Sequence, residues 1–178
     1  MAAFDVVRNR PHEPPMPDPL GYFLTWTTYG TWLPGDERGW VESGKGFQPS
    51  DPVRKLEAEA RMTEDACRLD GEQRLLVATT IADHCRIRGW ELHAVNCRSN
   101  HVHVVVSANR APDDVRDQFK AWCTRRLKEQ ERARRSASSR AEATCPVRTK
   151  WWTDGGSRRR LWTEESLEAA IRYVRDGQ

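Results

Sequence analysis

No run of about 18 apolar residues occurs in the 178-residue chain, so length alone argues against a membrane-spanning helix. The first residues offer no apolar stretch of the signal-peptide kind and carry Asp5 early, which argues against a secretory leader. No Cys-x-x-Cys pair exists, and the five cysteines (Cys67, Cys85, Cys97, Cys123, Cys145) are odd in number. That pattern disfavours both a disulfide scaffold and a structural zinc ribbon. A chain this long buries roughly two thirds of its unfolded surface without staples. The expectation is a soluble, intracellular globular protein.

Acidic residues are scarce in one region. Between Arg116 and Arg160 there are 14 Lys/Arg against 5 Asp/Glu, a local balance of +9 in a chain whose net charge is +3, leaving −6 elsewhere. Segregated positive charge is the footprint of a polyanion binder, although a solvated helix face gives the same count. Lys120, Arg125, Arg126 and Lys128 fall on one expected helix, and Arg158, Arg159 and Arg160 stand beside Trp162. These eight are the candidate DNA-contacting residues. Seven of the eight tryptophans lie in or beside polar and basic segments, where exposed rings suit stacking on unpaired bases and buried ones simply pack.

Residues 1–19 hold five prolines and no apolar period, which predicts a disordered leader before a single domain over 20–178. Residues 21–29 are aromatic and β-branched and read as a strand. Residues 30–46, with Pro34, Gly35 and Gly39, read as loop, followed by a short helix capped at Ser50. Asp70 with Gln73 forms a capping-box signature opening a helix that Gly89 closes. Residues 90–96 and 100–106 read as a hairpin, and Pro112 with Asp113 and Asp114 opens a further helix. Residues 131–148 read as a mobile Arg/Ala/Ser-rich stretch, and residues 150–161 as two short strands turning at Gly155-Gly156. Thr163 caps a last helix. The resulting β-α-β-β-α-β-α order predicts an α+β fold: a ferredoxin-like or RRM-like split βαβ sheet with helices on one face and an added C-terminal helix.

The period of two puts His101, His103 and Val105 on one sheet face and Val102, Val104 and Val106 on the other. Two imidazoles so placed converge readily on one divalent ion; two ordinary half-buried histidines have the same spacing. On the last helix, at about 100° per residue, Leu167, Ala170, Ile171 and Val174 form the buried stripe. Tyr173 lies on its flank and Gln178 returns to the stripe side. A core-edge tyrosine and a frayed terminal glutamine have that pattern too.

Taken together, Thr28-Tyr-Gly-Thr-Trp-Leu-Pro-Gly35, Ser99-Asn-His-Val-His-Val-Val105, Trp152-Thr-Asp-Gly-Gly-Ser157, and Leu167-Glu-Ala-Ala-Ile-Arg-Tyr-Val174 with Gln178 give a combined pattern. It resembles the His-hydrophobic-His (HUH) single-tyrosine transposases of the insertion sequence 200-like group, including the REP-associated tyrosine transposases. The resemblance covers residues 21–178. It implies His101 and His103 as ligands of Mg²⁺ or Mn²⁺, Gln178 as a third ligand, and Tyr173 as the catalytic nucleophile. The activity implied is cleavage and rejoining of single-stranded DNA through a 5′-phosphotyrosine, with hairpin or palindromic ends recognised. A homodimer associated with the nucleoid in the cytoplasm is also implied. Two departures stand out. Gln178 follows Tyr173 by five residues where the best-known members have four, and the insert between Tyr29 and Asp70 is long.

Other classes compete. An RRM-like module that binds single-stranded nucleic acid without catalysis explains the basic helix and the tryptophans, but leaves His-Val-His and Tyr173 unexplained. A host-retained, non-mobile nickase has the same residues as a mobile transposase. A zinc site from Cys97, His101 and His103 lacks a fourth ligand at normal spacing. An RNA phosphodiesterase of the two-motif His-x-Ser/Thr kind is disfavoured, because none of the five histidines opens such a motif.

Overall fold

The computed structural model describes residues 18–42, 44–137 and 147–176. Residues 1–17 of the expected leader, the 138–146 part of the Arg/Ala/Ser-rich stretch, Cys145 and Gln178 lie outside the described residues. What is described is α+β: a four-stranded antiparallel sheet, a two-stranded sheet and four helices. Among the described residues no helix is long and apolar enough to cross a membrane.

The main sheet contains β1 (Gly21–Thr27), β4 (Glu91–Cys97), β5 (His101–Ser107) and β6 (Ser157–Leu161), in the order β4-β5-β1-β6. Between β1 and β4 lie the hairpin β2 (Trp40–Glu42) and β3 (Gly46–Gln48), then α1 (Pro52–Ala60) and α2 (Gly71–Arg88). Helix α3 (Pro112–Ala137) joins β5 to β6, and α4 (Glu164–Asp176) follows β6. Setting aside the β2–β3–α1 insert, the order is the β-α-β-β-α-β-α expected.

Local chemistry accounts for most boundaries. Asp70 accepts from Gln73 N while Gln73 Oε1 accepts from Asp70 N, a reciprocal cap of the kind worth about 1 kcal/mol. Gly89 ends α2 in the left-handed region, φ 66°, which a Cβ disfavours. Asp51, not Ser50, caps α1. Thr163 and Ser166 exchange bonds at the start of α4.

Three further expectations need correction. The segment read as pure loop contains the β2–β3 hairpin, paired from Trp40↔Gln48 to Glu42↔Gly46. Helix α3 continues through residues 131–137, where Arg134 bonds Asp70 and Glu72 at the start of α2. Of the two strands expected over residues 150–161 only β6 forms; Trp152 makes a single bridge to Thr28.

The sheet has two covered faces. Leu24, Trp26, Val102, Val104 and Val106 pack with Val77 and Ile81 of α2 and Val115, Phe119, Cys123 and Leu127 of α3. On the reverse face Val105, Ala94 and Leu161 meet Ala170 and Val174 of α4, with Phe23, Leu167 and Ile171 at the margin. The register slips between Leu92 and Ala94 in β4, a bulge that lets both Leu92 and Val95 join the first core. Five of the tryptophans, Trp26, Trp40, Trp90, Trp151 and Trp152, are buried, whereas Trp32, Trp122 and Trp162 are exposed.

Candidate active site

The α4 face of β5 opens the site. His103 sits opposite Thr25 and His101 opposite Thr27 on β1, so four polar side chains share one patch of the sheet. Thr25 Oγ1 lies 2.7 Å from His103 Nδ1, and Asn100 Oδ1 lies 2.8 Å from His101 Nδ1. A carboxamide oxygen only accepts, so this contact suits the tautomer in which His101 donates through Nδ1. The two rings stand edge to face, with centroids 4.7 Å apart. His103 is buried and His101 half-buried.

Asn100 is itself clamped. Its carbonyl accepts from Thr28 N at 2.9 Å and from the hydroxyls of Thr28 and Thr31, each at 3.2 Å. The Thr28-Tyr-Gly-Thr31 motif thus ties the end of β1 to the start of β5, next to the imidazoles. Thr28 is fully buried.

Helix α4 brings Tyr173 to the same place. Its ring lies edge-on to His103 with centroids 5.7 Å apart and edge-on to Phe23 at 5.8 Å. At 46% exposure the phenol is open to a macromolecular substrate. The helix is fastened to β4 by Asn96 Nδ2, donating to the Val174 carbonyl at 2.9 Å, and by Arg175, donating to the carbonyl of the bulged His93 at 3.0 Å. Thr25, Thr27, Trp32, Arg38, Asn100, His101, His103 and Tyr173 line one cavity of about 290 Å³.

Arg38 supplies the cation in this wall. It bonds Asp36 at 2.7 and 3.1 Å, and that bond holds the Asp36 carboxyl below its ordinary value despite burial. The Arg38 charge is correspondingly part-neutralised.

Among the described residues no group of three His, Cys, Asp or Glu side chains converges. What is present is two imidazoles whose orientation is fixed through Nδ1 by Asn100 and Thr25, the outer-shell arrangement usual for metal-binding histidines. Two imidazoles are chemically able to ligate a divalent ion, and oxygen ligands would have to complete the set. The zinc alternative through Cys97 does not fit. Cys97 pairs with Val102 and packs in the opposite core, where burial pushes its thiol up to about 12.

The expected DNA-contacting residues are scattered. Lys120 donates to the Thr153 and Gly155 carbonyls at 2.6 and 2.9 Å, and burial lowers its pKa. Arg125 and Arg126 share Glu129, and Arg125 lies over Trp122, 5.3 Å being the comparable distance of Arg38 over Trp32 and 5.7 Å its own. Lys128 is half-buried on α3. On β6 the pleat divides the arginine triplet: Arg159 pairs with Phe23 on the α4 face, whereas Arg158 and Arg160 pair with Leu24 and Tyr22 on the other. Arg158 bonds Asp113 at 2.8 Å. Trp162 is exposed just beyond β6. Sequence reasoning missed Thr25, Asn96 and Arg38; the polar Thr25/Thr27 alternation on β1 was a signal for Thr25.

No protein-family model and no curated protein matches the chain. Among solved structures, one that it resembles is a REP-associated tyrosine transposase bound to a REP hairpin, with a TM-score of 0.46 and 11% identity over 88% of this chain. This chain spans 65% of the length of that one.

Proposed function

We propose that the chain is an HUH-type, metal-dependent transposase or strand transferase acting on single-stranded DNA, with hairpin ends as its preferred substrate. The observation that carries this reading is the meeting of His101, His103 and Tyr173, from a strand and a helix about seventy residues apart, in one cavity. The β4-β5-β1-β6 order, with α2 and α3 as crossovers, supports the ferredoxin-like reading of the fold.

Tyr173 Oη attacks the phosphorus of a phosphodiester in unpaired DNA. The Oη–P bond forms as the P–O3′ bond breaks; the phenol gives up its proton, and the departing 3′ oxygen takes one up. The 5′ phosphate stays on Tyr173, and a later 3′-hydroxyl reverses the step without ATP, because one phosphate ester has been exchanged for another. A phenol with pKa near 10 is a weak nucleophile until positioned or deprotonated; Phe23 and His103 hold its ring edge-on. Thr25 and Asn100 orient the imidazoles. His101 and His103 would hold Mg²⁺ or Mn²⁺, with Gln178 as a third ligand, and the ion when bound would polarise the scissile phosphate. Tyr173 and the histidines meet within one chain, so the homodimer expected of such an enzyme is not needed to complete this site. A cytoplasmic, nucleoid-associated location follows from the substrate.

The test is incubation of the protein with labelled hairpin-bearing single-stranded DNA and Mg²⁺ or Mn²⁺, resolving covalent adducts by denaturing electrophoresis. Wild type forms an adduct, and Tyr173→Phe forms none while binding the DNA with similar affinity. Binding without an adduct in wild type returns the RRM-like, non-catalytic reading.

A further inference from the structure

A second cavity, of about 710 Å³, adjoins the His–Tyr site and shares Thr25, Thr27 and Trp32 with it. Its volume lies in the range typical of small-ligand sites. The shared wall is an indole held rigidly. Trp32 Nε1 donates to the Gly39 carbonyl at 2.7 Å, and the Arg38 guanidinium carbon lies 5.3 Å from its ring centroid. Arg38 is fixed in turn by Asp36 and the Thr31 carbonyl. Arg38 lines only the smaller cavity. Trp32 is nonetheless 40% exposed, an uncommon state for an indole so firmly anchored.

The opposite side of this cleft includes Gly155 and Gly156. A Cβ on Gly155 would meet nothing within 4 Å, whereas one on Gly156 would sit 2.6 Å from the Thr25 carbonyl. Glycine here lets the chain lie flat against β1 and leaves the cleft open. The charges along it cancel: Asp113 is bonded by both Arg116 and Arg158 at 2.8 Å, and Asp154 adds a second carboxylate. A phosphate gains little in such surroundings. A flat, uncharged aromatic does well.

We propose that this cleft receives one unpaired nucleobase flanking the scissile phosphate, stacked on Trp32. The inference rests on the transferase reading above and adds to it a subsite built by the Tyr29–Asp70 insert. A phosphate positioned at Tyr173 has its neighbouring base within reach of Trp32, because both cavities meet at Thr25, Thr27 and that ring. A base inside a duplex is already stacked on its neighbours, so only an unpaired one can enter. The anchored indole loses little freedom on binding, which favours affinity, and stacking on an aromatic ring tolerates any of the four bases.

The experiment measures affinity by fluorescence anisotropy, for a hairpin with a single-stranded flank and for the same hairpin made blunt. Each flank position is also replaced in turn by an abasic site. Trp32→Ala weakens binding of the flanked hairpin about tenfold, Trp32→Phe recovers most of that, and both leave the blunt hairpin unaffected. One abasic position reproduces the loss with wild-type protein and shows no further loss with Trp32→Ala. Equal affinity of Trp32→Ala and wild type for the flanked hairpin overturns the proposal, as does an equal loss on the blunt one. Because binding is read without cleavage, wild type that forms the Tyr173 adduct while Trp32→Ala binds normally removes this subsite alone. Wild type that binds no DNA removes the function with it.

Discussion

Asn96 Nδ2 donates to the Val174 carbonyl at 2.9 Å, joining the residue opposite His103 in the sheet to the residue after Tyr173. One side chain therefore links the sheet beside the histidine strand directly to the tyrosine helix, in addition to their apolar packing. Arg175 reinforces it from the next position by bonding the His93 carbonyl.

Removing that link is expected to uncouple the two halves of the site. Asn96→Ala leaves the Val174 carbonyl without its donor, and a net loss of about 1 kcal/mol is typical for such a bond. Thermal unfolding should show a drop of a few degrees. Adduct formation should slow by more than that stability change explains, with DNA affinity retained. Asn96→Asp, which keeps the size but cannot donate, should behave like Ala. An unchanged adduct rate in both variants would show that α4 is positioned by its apolar stripe alone.

Much of the frame was legible in the sequence because its signals are local. The Asp70–Gln73 box, Gly89, and the two-residue period of His101 and His103 each act over a few residues. The Asn96–Val174 contact was not legible, because it depends on the bulge at His93 and on a helix docking 78 residues away. The placement of the positive stretch was not legible for the same reason. Its arginines find carboxylates far along the chain, Arg134 with Asp70 and Glu72 and Arg148 with Glu64, so the local excess of charge is partly cancelled in the fold. The hairpin over residues 40–48 was hidden by glycines that serve its turns.

The histidine pair should behave as a unit. If His101 and His103 hold one divalent ion, His101→Ala or His103→Ala should each abolish metal-stimulated cleavage, and the double variant should be no worse than either single one. DNA affinity should change little, since backbone contacts elsewhere carry most binding. Asn100→Ala, which releases His101 Nδ1, should raise the metal concentration needed for half-maximal activity by about 10- to 100-fold. Metal titration of adduct formation reads all four proteins, and full activity of both single variants would sink the metal site.

His84 should make the fold sensitive to mild acid. It is buried among Trp90, Phe119 and Trp122, and burial lowers its pKa from 6.5 even though Gln118 opposes the shift. A folded pKa below the unfolded one means the native state binds the proton less well than the unfolded chain. The His84 contribution is therefore complete above pH 6.5 and is lost as pH falls from there through the depressed folded value. Denaturant melts at pH 7.5 and 5.5 should show wild type losing stability at the lower pH. His84→Phe, which keeps an aromatic ring in the same niche, should flatten the difference. Parallel pH dependence in both proteins would place the acid sensitivity elsewhere.

The arginine triplet on β6 gives the sharpest contrast between charge counted and charge placed. Arg159 shares the α4 face with Phe23 and the histidines, whereas Arg158 and Arg160 point to the other face, and Arg158 is engaged by Asp113 at 2.8 Å. A strand of DNA lying across the site passes Arg159 first. Each phosphate contact on single-stranded DNA contributes about 0.7 to the slope of log affinity against log salt. Arg159→Ala should therefore weaken binding at low salt and reduce that slope by about 0.7. Arg158→Ala should do less, because Asp113 keeps Arg116 as a partner and a paired guanidinium has less charge to offer a phosphate. Arg160→Ala should also do less, from its position on the far face. Anisotropy titrations of flanked hairpin at two or more salt concentrations separate the three. Equal losses would mean that the triplet acts as a diffuse patch, and no loss in any of them would move the DNA path off β6 altogether.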